Sequence, residues 1–124
     1  MTRFSTLYAV AAVGLALASP ARAADPAKGK AVFQAQCAMC HQVKPKALGI
    51  GPSLAGVVGR KAGTLPGFAY SPAMKTFAKP WTPALLGTYI AAPMKGVPGN
   101  RMPYAGLADA AKRADLIAYL ATLK

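Results

Sequence analysis

Residues 37–41 read CAMCH, and these five positions hold Cys37, Cys40 and His41, both cysteines and the one histidine of the 124-residue chain. Three chemistries use such a cluster. A disulfide or a thioredoxin-type redox pair would employ the two thiols alone, and the redox pair belongs in a βαβ setting that the rest of the sequence does not provide. A structural zinc site wants four nitrogen or sulfur ligands, and the chain has three such side chains. Covalent attachment of a c-type haem uses all of them: each thiol adds to a vinyl group, and the next residue places its imidazole on the iron. Two cysteines and one histidine scattered at random would fall in this pattern with a probability on the order of 1 in 10⁴, so haem attachment is the reading adopted.

Upstream, the first 23 residues read as an export signal, with Arg3 near the start, an apolar stretch from Leu7 to Ala18, and Ala21-Arg22-Ala23 at its end. Cleavage after Ala23 would leave a domain of residues 24–124 in the periplasm. The apolar stretch is about twelve residues, whereas a helix needs roughly 20 to cross a bilayer, so a cleavable leader is expected rather than an anchor. Nothing later in the sequence is apolar enough to span a membrane. Removing Arg3 and Arg22 from the 15 basic residues leaves 13 against Asp25, Asp109 and Asp115, a net charge of +10 with no glutamate. Such a field favours acidic partners and transient contact with anionic membrane surfaces. Nucleic acid is not expected, because the basic residues are scattered singly with no aromatic-basic cluster and no recognised DNA-binding motif. About 100 residues make one domain with a thin core, which something besides the chain must help to fill.

Proline follows a capping residue at Asp25-Pro26, Ser71-Pro72 and Thr82-Pro83, the pattern of an N-cap with proline in the first turn. Helices are therefore predicted from Pro26 towards Cys37, from Pro72 to about Phe77, and from Pro83 to about Ala92, where Pro93 stops the third. A fourth starts near Asp109, with Leu116, Ile117, Leu120 and Leu123 on one face. Val32 and Phe33 on the first helix are the candidates to cover that face. Between His41 and Ser71 the chain has six glycines, three prolines and no alternating β-branched run, so it reads as loop with at most a turn around Leu54 to Val58. A loop of that length in a small domain implies something functional for it to wrap. A buried haem would answer both the thin core and the long loop.

His41 fills one axial position of the iron, and the other decides between an electron carrier and a ligand-binding or catalytic haem. With no second histidine, the candidates are Met74, Met94, Met102 or a lysine. Met39 lies inside the attachment loop on the histidine's own side and cannot reach across. Gap-filling packing is the ordinary use of methionine. Met102 stands out because the stretch PGNRMP, residues 98–103, is stiffened by its prolines and cannot be helix.

Taken together, the chain resembles a class I cytochrome c, of the group containing mitochondrial cytochrome c and bacterial cytochromes c2. The motifs that carry this are GKAVF (29–33) before CAMCH, then GPSL (51–54), GRK (59–61), PGFAY (66–70), Trp81, PGNRM (98–102) and RADLIAYL (113–120), in the family's order. The resemblance covers nearly all of residues 24–124. It implies an all-α fold of about four to five helices, with long loops wrapped around one covalently bound haem c. It also implies that Met102 is the second axial ligand, that the Pro52 carbonyl accepts the His41 ring N–H, and that Arg60, Tyr70 and Trp81 hold the haem propionates. Tyr89 corresponds to a tyrosine packed beside the axial methionine, and Gly29, Phe33, Leu116 and Tyr119 to the crossing of the terminal helices. The chain departs from the family where Met74 replaces an asparagine near the inner propionate and Asn100 a threonine two residues before the axial methionine. Gln36 and Met94 stand where mitochondrial members place docking lysines, while Lys95 and Arg101 remain.

The function so implied is that of a soluble, monomeric periplasmic protein, not an enzyme, carrying one electron between acidic redox proteins, such as a membrane-bound reductase or oxidase or a periplasmic dehydrogenase. Histidine and methionine together leave no open site on the iron and raise its potential. Two alternatives stand beside this: a five-coordinate haem enzyme or ligand sensor, and a haem subunit of a periplasmic dehydrogenase. For the latter, an exposed apolar patch around Met94, Val97 and Pro98 would be the structural hint.

Overall fold

The computed structural model describes residues 22–124, so the leader expectation falls almost wholly outside the described residues. Five helices are present: α1 Pro26–Gln36, α2 Pro72–Phe77, α3 Pro83–Ala91, α4 Pro93–Gly96 and α5 Ala110–Ala121. No strand occurs among the described residues, only isolated bridges at Leu48–Pro52 and Lys61–Pro80. No helix there is long and apolar enough to cross a membrane.

Each predicted cap forms. The Asp25 carboxylate accepts from the amides of Ala27 and Lys28, the Ser71 hydroxyl from Met74, the Thr82 hydroxyl from Leu85, and the Asp109 carboxylate from Lys112. Those oxygens satisfy amides that have no partner within the helix, while proline at N1 loses nothing by lacking one. Pro93 ends α3 as expected, yet it also opens α4. Lacking an N–H, it cannot continue the ladder of α3, and its fixed φ suits the first turn of a new helix.

The terminal helices α1 and α5 cross at Gly29, where a Cβ would lie 1.9 Å from the Asp115 carbonyl oxygen. Around the crossing, Phe33, Leu116 and Leu120 are buried, and the Phe33 and Tyr119 rings meet at 5.6 Å. Val32, Ile117 and Leu123 pack against the same cluster from its edge. Helix α3 joins α5 through Leu86 in the core and Ile117 beside Gly87.

The segment from 41 to 71 is irregular, as expected, but is fixed by backbone hydrogen bonds to elements far along the chain. Gly51 N–H donates to Cys40 O at 2.8 Å and Leu54 N–H to Gln42 O at 2.8 Å, which lays residues 51–54 alongside the CAMCH segment. Gly59 donates to Trp81 O, Trp81 to Arg60 O and Ala62 to Lys79 O, all within 2.9 Å. Arg60 and Trp81 are thereby placed side by side.

Candidate functional site

Cys37, Cys40 and His41 emerge from the end of α1 in a tight turn, with both the Cys40 and His41 amides donating to Cys37 O. They open onto a cavity of about 330 Å³, lined mainly by apolar groups, that Met102 meets from the PGNRM stretch. The lining also includes Pro52, Arg60, Tyr70, Trp81 and Tyr89, so the residues expected to attach, ligate or contact the haem all border this one space.

The His41 ring is oriented by its neighbours. Nδ1 lies 2.8 Å from Pro52 O, and because a carbonyl can only accept, Nδ1 carries the hydrogen. Nε2 then keeps its lone pair. Burial pulls the imidazole below its ordinary pKa, the Pro52 bond opposes this, and nearby Arg60 adds to the lowering. A neutral ring is the metal-binding form. Gly51 makes room for it: a Cβ there would approach the ring Cε1 to 2.5 Å. Cys37 and Cys40 are half-buried and form no disulfide with each other, and burial, followed by the proximity of Cys40, raises the Cys37 pKa.

Of the methionines weighed as ligands, Met39 is 90 % exposed and Met94 is 55 % exposed; neither lines the cavity. Met74 lines it but is buried on α2 beneath its Ser71 cap. Met102 is held by Asn100, whose Oδ1 accepts from the Met102 amide at 2.8 Å. Asn100 Nδ2 donates to Pro93 O and Val97 O, each at 2.9 Å, and to the Met94 sulfur at 3.4 Å. A second tie joins the two sides of the cavity mouth, where the Tyr104 hydroxyl donates to Gln36 Oε1.

Arg60 donates to Ser53 O at 2.9 Å and to Ala55 O at 3.1 Å, so two of its five N–H groups brace the loop. The Tyr70 hydroxyl accepts from the Leu65 amide at 3.2 Å, which leaves its own hydrogen to donate. Trp81 is buried between Phe77 and Tyr89, with ring centroids at 5.4 and 4.9 Å. Burial pushes the Tyr89 pKa up to about 12, so that phenol stays neutral.

The apolar patch around Met94, Val97 and Pro98 that would have hinted at a dehydrogenase subunit is not continuous. Met94 and Pro98 are exposed, but Val97 is 3 % exposed and belongs to the core. Two cysteines, a neutral imidazole and a thioether thus border an apolar cavity whose lining also carries Arg60, Tyr70 and Trp81. The donor set fits a haem.

The cytochrome c family model matches residues 26–124. The chain belongs to the cytochrome c family. It is 50 % identical over 117 residues to a cytochrome c2 of Rhodomicrobium vannielii, covering 91 % of this chain and 93 % of that protein. A cytochrome c2 of Rhodopila globiformis is 49 % identical over 100 residues, 81 % of this chain and 94 % of that one. Among solved structures, cytochrome cH from Methylobacterium extorquens superposes with a TM-score of 0.74 at 42 % identity, over 79 % of this chain and 98 % of its own. The small cytochrome c fold and a covalently bound haem c follow from family membership, as does the general role of a c-type cytochrome in carrying electrons.

The sequence reading did not single out Ser53, Gln36 as a partner of Tyr104, or Asp115. Ser53 is fully buried, donating to Lys44 O at 2.6 Å and accepting from the Ala55 amide. A lone serine in a Gly/Pro-rich stretch has no periodic signal to mark it. Arg22, assigned to the leader, forms an ion pair with Asp115.

Proposed function

We propose that this cytochrome is a periplasmic carrier of single electrons in which Cys37 and Cys40 tether the haem and His41 and Met102 ligate its iron. The observation that carries this reading is the convergence of His41, with Nδ1 committed to Pro52, and Met102, with its backbone committed to Asn100, on the cavity that the two cysteines border. When bound, the haem supplies a one-electron iron couple. The chain's own part is to hold two ligands at fixed positions, so that little has to move when the charge on the metal changes. The Pro52 carbonyl fixes the imidazole plane and strengthens its basicity. Asn100 fixes the thioether's loop, and Leu54, Val57 and Leu86 keep water from the interior. Arg60, Tyr70 and Trp81 are the groups placed to bond the propionates, offsetting the cost of burying negative charge.

Export is supported by the Arg3 and Leu7–Ala18 pattern, and an acidic partner by the +10 charge of residues 24–124. The ligation is tested spectroscopically. The oxidised protein is expected to show the methionine-to-iron absorption band, Met102→Ala to lose it, and the reduced wild type to bind carbon monoxide poorly. Tight binding of carbon monoxide by the wild type would instead mark a five-coordinate iron and an enzyme or sensor.

A further inference from the structure

Asp115 lies in the middle of α5, is 3 % exposed, and takes no part in the haem cavity. Its two oxygens are used separately. Oδ1 accepts from the Asp25 amide at 2.8 Å, and Oδ2 accepts from Arg22 Nη2 at 2.9 Å. The Asp25 amide, then Arg22, hold its carboxyl below the usual carboxylate range against the opposing effect of burial, with Lys28 adding a weaker pull. It is therefore an anion at neutral pH, buried at the crossing of the terminal helices. A buried charge that loses its partner is costly.

Arg22, however, precedes the expected cleavage point by one residue. Hydrolysis of the Ala23–Ala24 peptide bond by a leader-cleaving peptidase consumes one water, leaves a carboxylate on Ala23 of the released segment, and creates an ammonium on Ala24. Arg22 departs with the leader. The nitrogen of Ala24 is one residue before the Asp25 amide, and consecutive Cα atoms are about 3.8 Å apart, so the new ammonium lies within about 4 Å of an amide already bonded to Asp115.

We propose that Asp115 is a receptor for the processed N-terminus: on cleavage the Ala24 ammonium takes the Oδ2 position that Arg22 holds in the precursor. The carboxylate is compensated before and after processing, by a cation on the leader first and by the chain's own terminus afterwards. This rests on the proposed cleavage after Ala23. The groups facing the ammonium would be the Asp115 carboxylate on α5, and the Asp25 carboxylate and Lys28 at the start of α1.

The ammonium's partner raises its folded-state pKa above the unfolded value of about 7.7 to 8.0. Its contribution to stability is then complete below that unfolded value and lost as pH rises through the folded one. A guanidinium carries its charge throughout this range. The test uses holo-cytochrome exported with its own leader, N-terminal sequencing, and a second holoprotein engineered to retain Arg22. Titration of the ¹⁵N-labelled Ala24 amine is expected to give a pKa raised above the ordinary value, falling back to it in Asp115→Asn. The protein starting at Ala24 is expected to lose denaturation midpoint above pH 8 relative to the one retaining Arg22. An N-terminus other than Ala24 would overturn the cleavage site. An N-terminus at Ala24 with an ordinary pKa, and parallel pH profiles for the two proteins, would overturn the receptor while leaving cleavage intact. If Asp115→Asn fails to fold, the comparison between the two wild-type termini decides.

Discussion

Asn100 bonds in three directions from a loop that has no helix to support it. Its amide group bridges the Pro93 and Val97 carbonyls, and its oxygen receives the Met102 amide. Asn100→Ala removes these three bonds, together with the longer contact to the Met94 sulfur, and leaves two carbonyls without those donors. At about 1 kcal/mol for each net hydrogen bond, the expected loss of stability is about 3 kcal/mol, read from a denaturant titration. A purely structural asparagine would cost stability alone; one that positions Met102 should also weaken the methionine-to-iron band while haem content stays constant. Unchanged absorption in a destabilised variant would restrict Asn100 to packing. In the sequence Asn100 was visible only as a departure from the family's threonine. Its bonding could not be read there, because a two-residue offset in an irregular loop leaves no periodicity, and the partners are backbone atoms whose positions depend on α4. The proposed site was more legible: CAMCH marked three residues by chemistry and the proline-stiffened stretch made Met102 a candidate, while choosing Met102 over the other methionines and assigning Pro52 needed the family resemblance.

Elements announced themselves where local rules and tertiary packing agree. The pairs Asp25-Pro26, Ser71-Pro72 and Thr82-Pro83 marked starts that the structure places one residue after each cap. Helix α4 was missed because Ala92 offers no side-chain cap and Pro93 served as a stop signal. The crossing of α1 and α5 was foreseen from an apolar face needing cover, but the amphipathic pattern says nothing about how closely two axes approach. Gly29 sets that approach. Its missing side chain admits the Asp115 carbonyl at 1.9 Å from where a Cβ would stand, and Tyr119 Cβ at 2.9 Å. A methyl group cannot be absorbed by rotating a side chain when the obstacle is backbone, so one helix must shift. Gly29→Ala is therefore expected to destabilise the holoprotein by about 3 kcal/mol, in spite of alanine's better helix propensity. The measurement is the denaturation midpoint; a variant as stable as the wild type would mean that the helices are not seated this closely.

For the molecule as a whole, the distribution of charge matters more than any single lysine. Among the described residues the one ion pair joins Arg22 to Asp115, so the remaining cations are balanced by solvent ions rather than by the protein. Near the cavity mouth Arg101 is exposed beside Met102, and Lys95 and the uncharged Met94 are exposed on α4. The sequence supplied the sign and size of the field but not this layout, since Gln36 and Met94 stand at two of the positions where the resemblance implies docking lysines, while Lys95 and Arg101 remain. A net positive surface without strong local pairs speeds encounter with an acidic partner and contributes little to holding the complex, which suits a carrier that must leave after each transfer. Screening sets the range: the Debye length is roughly 30 Å at 0.01 M salt and 10 Å at 0.1 M, so the long-range part of the attraction is largely removed across that interval. The second-order rate of reduction by an acidic redox partner is therefore expected to fall by about tenfold between those salt concentrations, within the range over which electrostatic steering raises association rates. Reduction by a small neutral reagent, which feels no such field, should stay constant in the same buffers and rules out an effect of salt on the haem itself. A partner rate that stays flat while the control also stays flat would mean that docking is governed by apolar contact at Met39, Ile50 and Met94, the large hydrophobic side chains left exposed with Leu48, and that the net charge serves some other purpose.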